Sequence, residues 1–302
     1  MNLPMSKAQN LSHEQRGPDW QAAKQALGCK IKKRGDLPHV SVQKQLELLD
    51  QLGEFELGQF LIERGGLNGY WTHYVLHTVV QLLPPLEIFL LLASPTSLAM
   101  QQRFSIFKDL IQKQIREGCS FASLPSGLMG DLLDLDYSAI DNFSLHGIDL
   151  DPETLISAKN YAEEKGLLPH CHFSQKDAWQ LKLNEEFDLI TSNGLTIYEP
   201  DDEKVTLLYR QFYNALKPSG MLVTSFLTPP PSPGSKTEWK LDLVNLQDAS
   251  LQKILFVDIL AGKWQVFRAE ETVKAQLLKA GFRDIEIHYD KAHIFPTVVA
   301  KK

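Results

Sequence analysis

Between Cys119 and Gly194 four short apolar runs each end in a turn or an acid: Ser123-Leu124-Pro125-Ser126-Gly127, His146-Gly147-Ile148-Asp149, Asp177-Ala178 and Thr191-Ser192-Asn193-Gly194. Short apolar runs bounded by turn residues read as buried strands. The pattern predicts strands over 119–124, 144–149, 170–175, 187–192 and 221–227, with helical segments between them, which makes the sheet mostly parallel. In such sheets ligands sit outside the carboxyl ends of the strands. All four endings therefore fall on one edge of a nucleotide-binding α/β sheet.

Downstream, Asp151-Pro152 reads as a helix cap with proline in the first turn, and Gly166 ends that helix. Asp201, Asp202 and Glu203 open the next, where the helix dipole favours acids. A run of prolines, Pro229 to Pro231 and Pro233, then begins an insertion spanning about residues 229–265. After a helix reaching Ala280-Gly281-Phe282, strands at 285–290 and 297–301 stand too close together to be parallel, so they form an antiparallel hairpin.

Upstream of Cys119 the pattern is helical. Residues 1–38 are polar without a sustained period and read as an N-terminal arm, and residues 39–118 form a helical cap region. Val42, Leu46, Leu49 and Leu52 recur at helical spacing, the glycines of Arg64-Gly65-Gly66-Leu67-Asn68-Gly69-Tyr70-Trp71 interrupt, and a further helix leads to Leu83. Ser94-Pro95 opens a long amphipathic helix carrying Phe104, Phe107, Leu110, Ile111 and Ile115, which Gly118 closes. Residues 119–302 are left as the α/β domain.

With 302 residues, 43% of them hydrophobic, the chain can bury a substantial core. Three scattered cysteines, Cys29, Cys119 and Cys171, suit a reducing compartment, and the cytoplasm is the expected location. A net charge of −6 argues against a nucleic-acid partner. The local basic cluster Lys30, Lys32, Lys33 and Arg34 reads as a solvated loop. The apolar stretch 74–93 holds His77, Gln81, Glu87 and Pro84-Pro85, so it reads as two buried helices with a break rather than a membrane span.

The chemistry lies on the strand endings. Gly127, between strand and helix, allows backbone to approach a ligand. Asp149, about 20 residues further on at the end of the next strand, can accept from both hydroxyls of a ribose. Asp177 can accept from an exocyclic amine, with a neighbouring backbone N–H donating to a ring nitrogen. His73 and His77 stand four apart on one helical face without a third metal ligand in register. His170 and His172 alternate onto one face of a strand.

Taken together, residues 119–302 resemble the class I S-adenosylmethionine-dependent methyltransferases. The resemblance rests on the Gly127 turn, Gly147-Ile148-Asp149-Leu150-Asp151-Pro152, Asp177-Ala178, Phe187 to Gly194, Ala215-Leu216-Lys217-Pro218-Ser219-Gly220, and the Ala280-Gly281-Phe282 ending with its hairpin. It implies a Rossmann-like seven-stranded sheet under an N-terminal helical cap, S-adenosylmethionine as cofactor, in-line methyl transfer, and a small-molecule acceptor. It further implies cofactor contacts at Ser123, Pro125, Gly127, Asp149, Leu150, Asp177, Ala178 and Asn193, with Tyr70 reaching in from the cap. Tyr198 and Glu199 stand in the region of a base, but no catalytic residue is assigned. The family usually has an acid at the position of Ser123 and glycines at those of Pro125 and Met129; this chain keeps only Gly127. That departure leaves a weak or inactive cofactor-binding protein as an alternative. A nicotinamide-dependent oxidoreductase is a further one, although G-x-G-x-x-G is missing after the first strand.

Overall fold

The computed structural model describes residues 19–78, 82–232, 234 and 237–302. Helices α1 (Trp20–Arg34), α2 (Val42–Leu52), α3 (Glu56–Arg64), α4 (Gly69–His77), α5 (Pro85–Leu92) and α6 (Pro95–Gln112) precede the first strand. Then come β1 (Cys119–Ser123), α7 (Gly130–Leu133), β2 (Phe143–Asp149), α8 (Pro152–Glu164), β3 (Cys171–Gln175), β4 (Phe187–Ser192), α9 (Asp202–Ala215) and β5 (Leu216–Ser225). Helices α10 (Leu246–Lys253) and α11 (Glu270–Ala280) and strands β6 (Arg283–His288) and β7 (Thr297–Lys301) complete the chain.

Contacts divide it into two compact units, residues 1–98 with 241–265 and residues 99–240 with 266–302. The boundary expected at residue 118 thus falls inside α6, and only the second part of the 229–265 insertion groups with the N-terminal helices. Specific bonds hold that part. Arg34 donates to the Asp258 carbonyl at 2.7 Å, and His39 pairs with the Asp258 carboxylate at 2.7 Å. The Gln252 side-chain oxygen accepts from the Ser94 hydroxyl and the Thr96 N–H, so it, rather than Ser94, caps α6.

The first unit is helical. Its polar start was expected to be an arm, yet residues 20–34 form α1, because Ala23 and Ile31 are buried on one face. Residues 1–18 lie outside the described residues. The basic cluster stands on α1 rather than in a loop, with Lys32, Lys33 and Arg34 in the last turn, where cations complement the helix dipole. The apolar stretch 74–93 divides between α4 and α5, and its residues 79–81 are outside the description. Among the described residues no helix is long and apolar enough to cross a membrane.

The second unit is built on a seven-stranded sheet in the order β3-β2-β1-β4-β5-β7-β6. Strands β1 to β5 are parallel, and β7 runs antiparallel between β5 and β6. Alternating residues feed two cores. Ala122, Ile190, Leu222 and Val298 face the cluster around Tyr209, Phe212, Val273 and Leu277 on α9 and α11. Phe121, Leu189, Val223 and Val299 face Phe107, Ile111, Met129 and Leu132. Both faces are covered, which is why the strands read as near-continuous apolar runs. This order, with its antiparallel end, is the Rossmann-like methyltransferase fold.

Candidate functional site

Parallel register sets the site. Ser123 is the neighbour of Gly147 on β2 and of Thr191 on β4, so the ends of β1, β2 and β4 coincide. The turn after β1 is tied to both neighbours: the Leu124 N–H donates to the Thr191 carbonyl and the Ser126 N–H to the Ile148 carbonyl, each at 2.9 Å. Gly127 has a φ of 49°, in the left-handed region that glycine reaches without strain.

Asp149 leans over this turn. One carboxylate oxygen accepts the Gly127 N–H and the other the Asp151 N–H, both at 3.1 Å. Burial pushes its pKa up, against the pull of those two bonds. A carboxylate offers about four acceptor positions, so two remain for a ligand. Asp151, as its sequence suggested, caps α8 through the Glu153 N–H and the Thr154 hydroxyl. Leu150 is half-buried, and its carbonyl accepts from Gln175 at 3.0 Å.

Asp177 lies beyond β3. Its carboxylate caps the short 3-10 turn Ala178–Gln180, accepting the Trp179 N–H at 2.9 Å and the Gln180 amide at 3.5 Å. Among the described residues, the side-chain oxygen of Asn193, just past β4, is buried without a hydrogen-bond partner, as is the Ser192 hydroxyl. A buried amide oxygen of this kind can accept from a ligand donor.

The element that sequence reasoning missed is Asp131. It is 4% exposed, and its carboxylate accepts bonds from the Ser123 hydroxyl at 3.2 Å and from the Thr191 hydroxyl. Burial pushes it up to about 6, and the two hydroxyls pull in the opposite direction. A carboxylate therefore stands at the end of β1 even though Ser123 is neutral. The available signal was an acid within the apolar stretch 128–135. Arg103 on α6 was also passed over. It is 2% exposed, one turn before Phe107 on the same helical face.

Two expectations change. The helix after the Gly127 turn is only the short α7, because Met129 adopts a φ of 57° and its N–H closes a turn onto Ser126. It offers little dipole. His170 and His172 do not share a face: His170 ends a 3-10 turn and stacks on Phe143 at 4.0 Å, while His172 on β3 stacks on His146 at 4.8 Å. Burial pushes Tyr198 up to about 12, and Glu199 is 8% exposed and accepts the Asp201 N–H.

Tyr70 belongs to the other unit. It is 51% exposed on α4 and packs edge-on against Trp71, with 5.1 Å between ring centroids. Trp71 in turn meets Tyr74 at 5.2 Å. The rings of His73 and His77 stack 3.9 Å apart.

The geometry fits the cofactor that the sequence resemblance implies. Going along the edge from β3 to β2, β1 and β4, Asp177, Asp149, the Gly127 turn and the Asn193 orphan follow in order. A family model for a methyltransferase domain matches residues 129–220, starting just past the atypical turn. A search of curated proteins returned no match. Among solved structures, one from Bordetella parapertussis named a possible exported protein is 40% identical, covers 99% of both chains and superposes with a TM-score of 0.90. The magnesium protoporphyrin IX methyltransferase of Synechocystis PCC 6803, solved with bound S-adenosylhomocysteine, is 14% identical over 78% of this chain and 94% of its own, with a TM-score of 0.51. The S-adenosylmethionine-dependent methyltransferase SibL is 13% identical over 85% and 75%, with a TM-score of 0.53. The fold defines an α/β protein of the methyltransferase type. The chain has the fold of the class I S-adenosylmethionine-dependent methyltransferases, and residues 129–220 match a methyltransferase domain.

Proposed function

We propose that the chain catalyses transfer of the cofactor's methyl group to a small-molecule acceptor by in-line displacement. The observation that carries this reading is the joint position of the Asp149 carboxylate, the Gly127 turn and the buried Asn193 oxygen at one sheet edge. When bound, S-adenosylmethionine supplies a methyl carbon activated by its sulfonium. Asp149 accepts the ribose hydroxyls, Asp177 and Ala178 hold the adenine edge, and Leu150 lies beside them. Gly127 lets the backbone approach, while Pro125 gives that stretch a fixed φ and no donor. Asn193 holds the amino-acid end.

Ser123 does not itself provide charge. It positions Asp131, and with Thr191 the pair presents the negative end that the cofactor's ammonium requires. Aligning acceptor and methyl group in this way can supply roughly 7–11 kcal/mol of the barrier. The reading of an inactive relative draws on the loss of two turn glycines. Against it stands Met129, whose side chain is fully buried in the core with Phe121 and Leu145.

The cytoplasm is the proposed location. Cys29 is exposed and all three cysteines are free, as a reducing compartment permits. Cell fractionation checks this against export, the description attached to the Bordetella relative.

The test of the main reading is thermal. S-adenosylhomocysteine at a hundred times its Kd should add about 2.7 kcal/mol, which raises Tm by several degrees. If neither it nor S-adenosylmethionine shifts the melt, the reading is lost; a shift with no methyl transfer across a broad acceptor panel favours the inactive relative.

A further inference from the structure

Arg103 is a buried cation that makes no salt bridge among the described residues. Its guanidinium lies 3.8 Å from the centroid of the Phe295 ring and 5.9 Å from that of Phe107. Its Nη1 donates to the Ser225 hydroxyl at 3.2 Å, and its Nε is sealed from solvent with no acceptor among the described residues. A guanidinium carries five N–H donors. The two acids that act on it from a distance are committed elsewhere. Asp290 accepts the N–H groups of Ala292, Ile294 and Phe295, and Asp131 the hydroxyls of Ser123 and Thr191.

Such a group is expensive to bury, and desolvation pushes its pKa down to about 9, still protonated at neutral pH. A protein that needed only packing here would place methionine or leucine on α6. The location explains the cost. Ser225 ends β5, and a Cβ built on Gly194 would come within 3.7 Å of Nη1, so the guanidinium sits at the carboxyl edge of the sheet beside the Asn193-Gly194 corner.

We propose that Arg103 is the seat of a ligand carboxylate, which its planar fork matches with two parallel hydrogen bonds. The proposal rests on the reading of this edge as the methyl-transfer site. Two carboxylates could reach it, the one on the cofactor's amino-acid end and one on the acceptor, and they are separable.

The full chain and its Arg103→Met and Arg103→Lys variants are titrated with S-adenosylhomocysteine, with 5′-methylthioadenosine, which lacks the amino-acid end, and with benzoate in the presence of S-adenosylhomocysteine. If the cofactor supplies the group, wild type prefers S-adenosylhomocysteine over 5′-methylthioadenosine, and Arg103→Met reduces that preference at least tenfold. If the acceptor supplies it, the preference survives, and benzoate binds the wild-type complex but not the Arg103→Met complex. Arg103→Lys, which keeps the charge but not the fork, falls between. Because the buried charge serves a ligand and not the fold, ligand-free Arg103→Met melts at or above wild type.

The proposal is overturned if the nucleoside preference and the benzoate response are both unchanged in Arg103→Met, whatever its Tm. Should that variant not fold, the same constancy in Arg103→Lys overturns it. If wild type binds neither nucleoside, the methyltransferase reading fails, while benzoate alone against wild type and the variants still decides the carboxylate seat.

Discussion

Replacing Asp149 by alanine removes the acceptor on which the ribose placement depends. In the ligand-free protein its two oxygens hold the Gly127 and Asp151 N–H groups, leaving about two acceptor positions for two vicinal hydroxyls. A hydrogen bond to a charged group contributes about 1.5–3 kcal/mol. Losing one at the lower figure weakens binding about tenfold, and losing both at the same figure weakens it by about 150-fold. The same change also frees the turn, so affinity alone would mix two causes.

Calorimetry with S-adenosylhomocysteine and its 2′-deoxy analogue separates them. Wild type should bind the deoxy compound about tenfold more weakly or worse, and Asp149→Ala should bind the two nearly alike, since the partner of the missing hydroxyl is itself gone. Loss of the tether to Gly127 would weaken both ligands equally and leave their ratio untouched. Unchanged affinity for S-adenosylhomocysteine in Asp149→Ala, or a deoxy penalty as large as in wild type, would refute the placement.

Asp131→Asn should stabilise the ligand-free protein at pH 7.5. The native carboxyl is held at about 6, above its unfolded value, so the native state binds the extra proton, and burial costs about 3 kcal/mol above pH 6 that is recovered as pH falls towards 4. Urea melts should show the variant's advantage shrinking over that window, while its affinity for S-adenosylhomocysteine drops. Gly147→Ala should cost about 1–3 kcal/mol, read as a lower Tm, because a Cβ there would lie 2.5 Å from the Met129 sulfur and 3.0 Å from the Phe173 ring. Asp177→Ala should cost about 1 kcal/mol through loss of its cap. Asp177→Asn keeps that cap by chemical denaturation, yet should bind S-adenosylhomocysteine several-fold more weakly if the carboxylate accepts the adenine amine.

Strand periodicity and turn chemistry were enough to read the sheet. Strands β4 and β7 fall on the predicted residues, and the others shift by a few at their ends, as at β5, which begins at Leu216 rather than Met221. The α1 helix was hidden because only Ala23 and Ile31 mark its buried face within a run of lysines and glutamines. The extent of the first unit was hidden for a different reason: the bonds from Arg34, His39 and Ser94 to Asp258 and Gln252 span more than half the chain, and no local pattern announces them.

The half of the proposed site that local sequence could show is the half built from strand ends, where a residue's position follows from the strand. Asp149 and Asn193 are of that kind. Asp131 and Arg103 are not, since each matters through what register and helix packing bring to it. Ser123 and Thr191 become partners of Asp131 only because β1 and β4 are neighbours in register. Had the acid at the end of β1 simply been lost, Ser123 would face an apolar α7 and nothing would justify a buried carboxylate four residues past Gly127. The hydroxyls and the acid instead make one polar unit in an otherwise apolar layer. The carboxylate at this edge therefore comes from the helix that packs on the strand, beside a neutral Ser123.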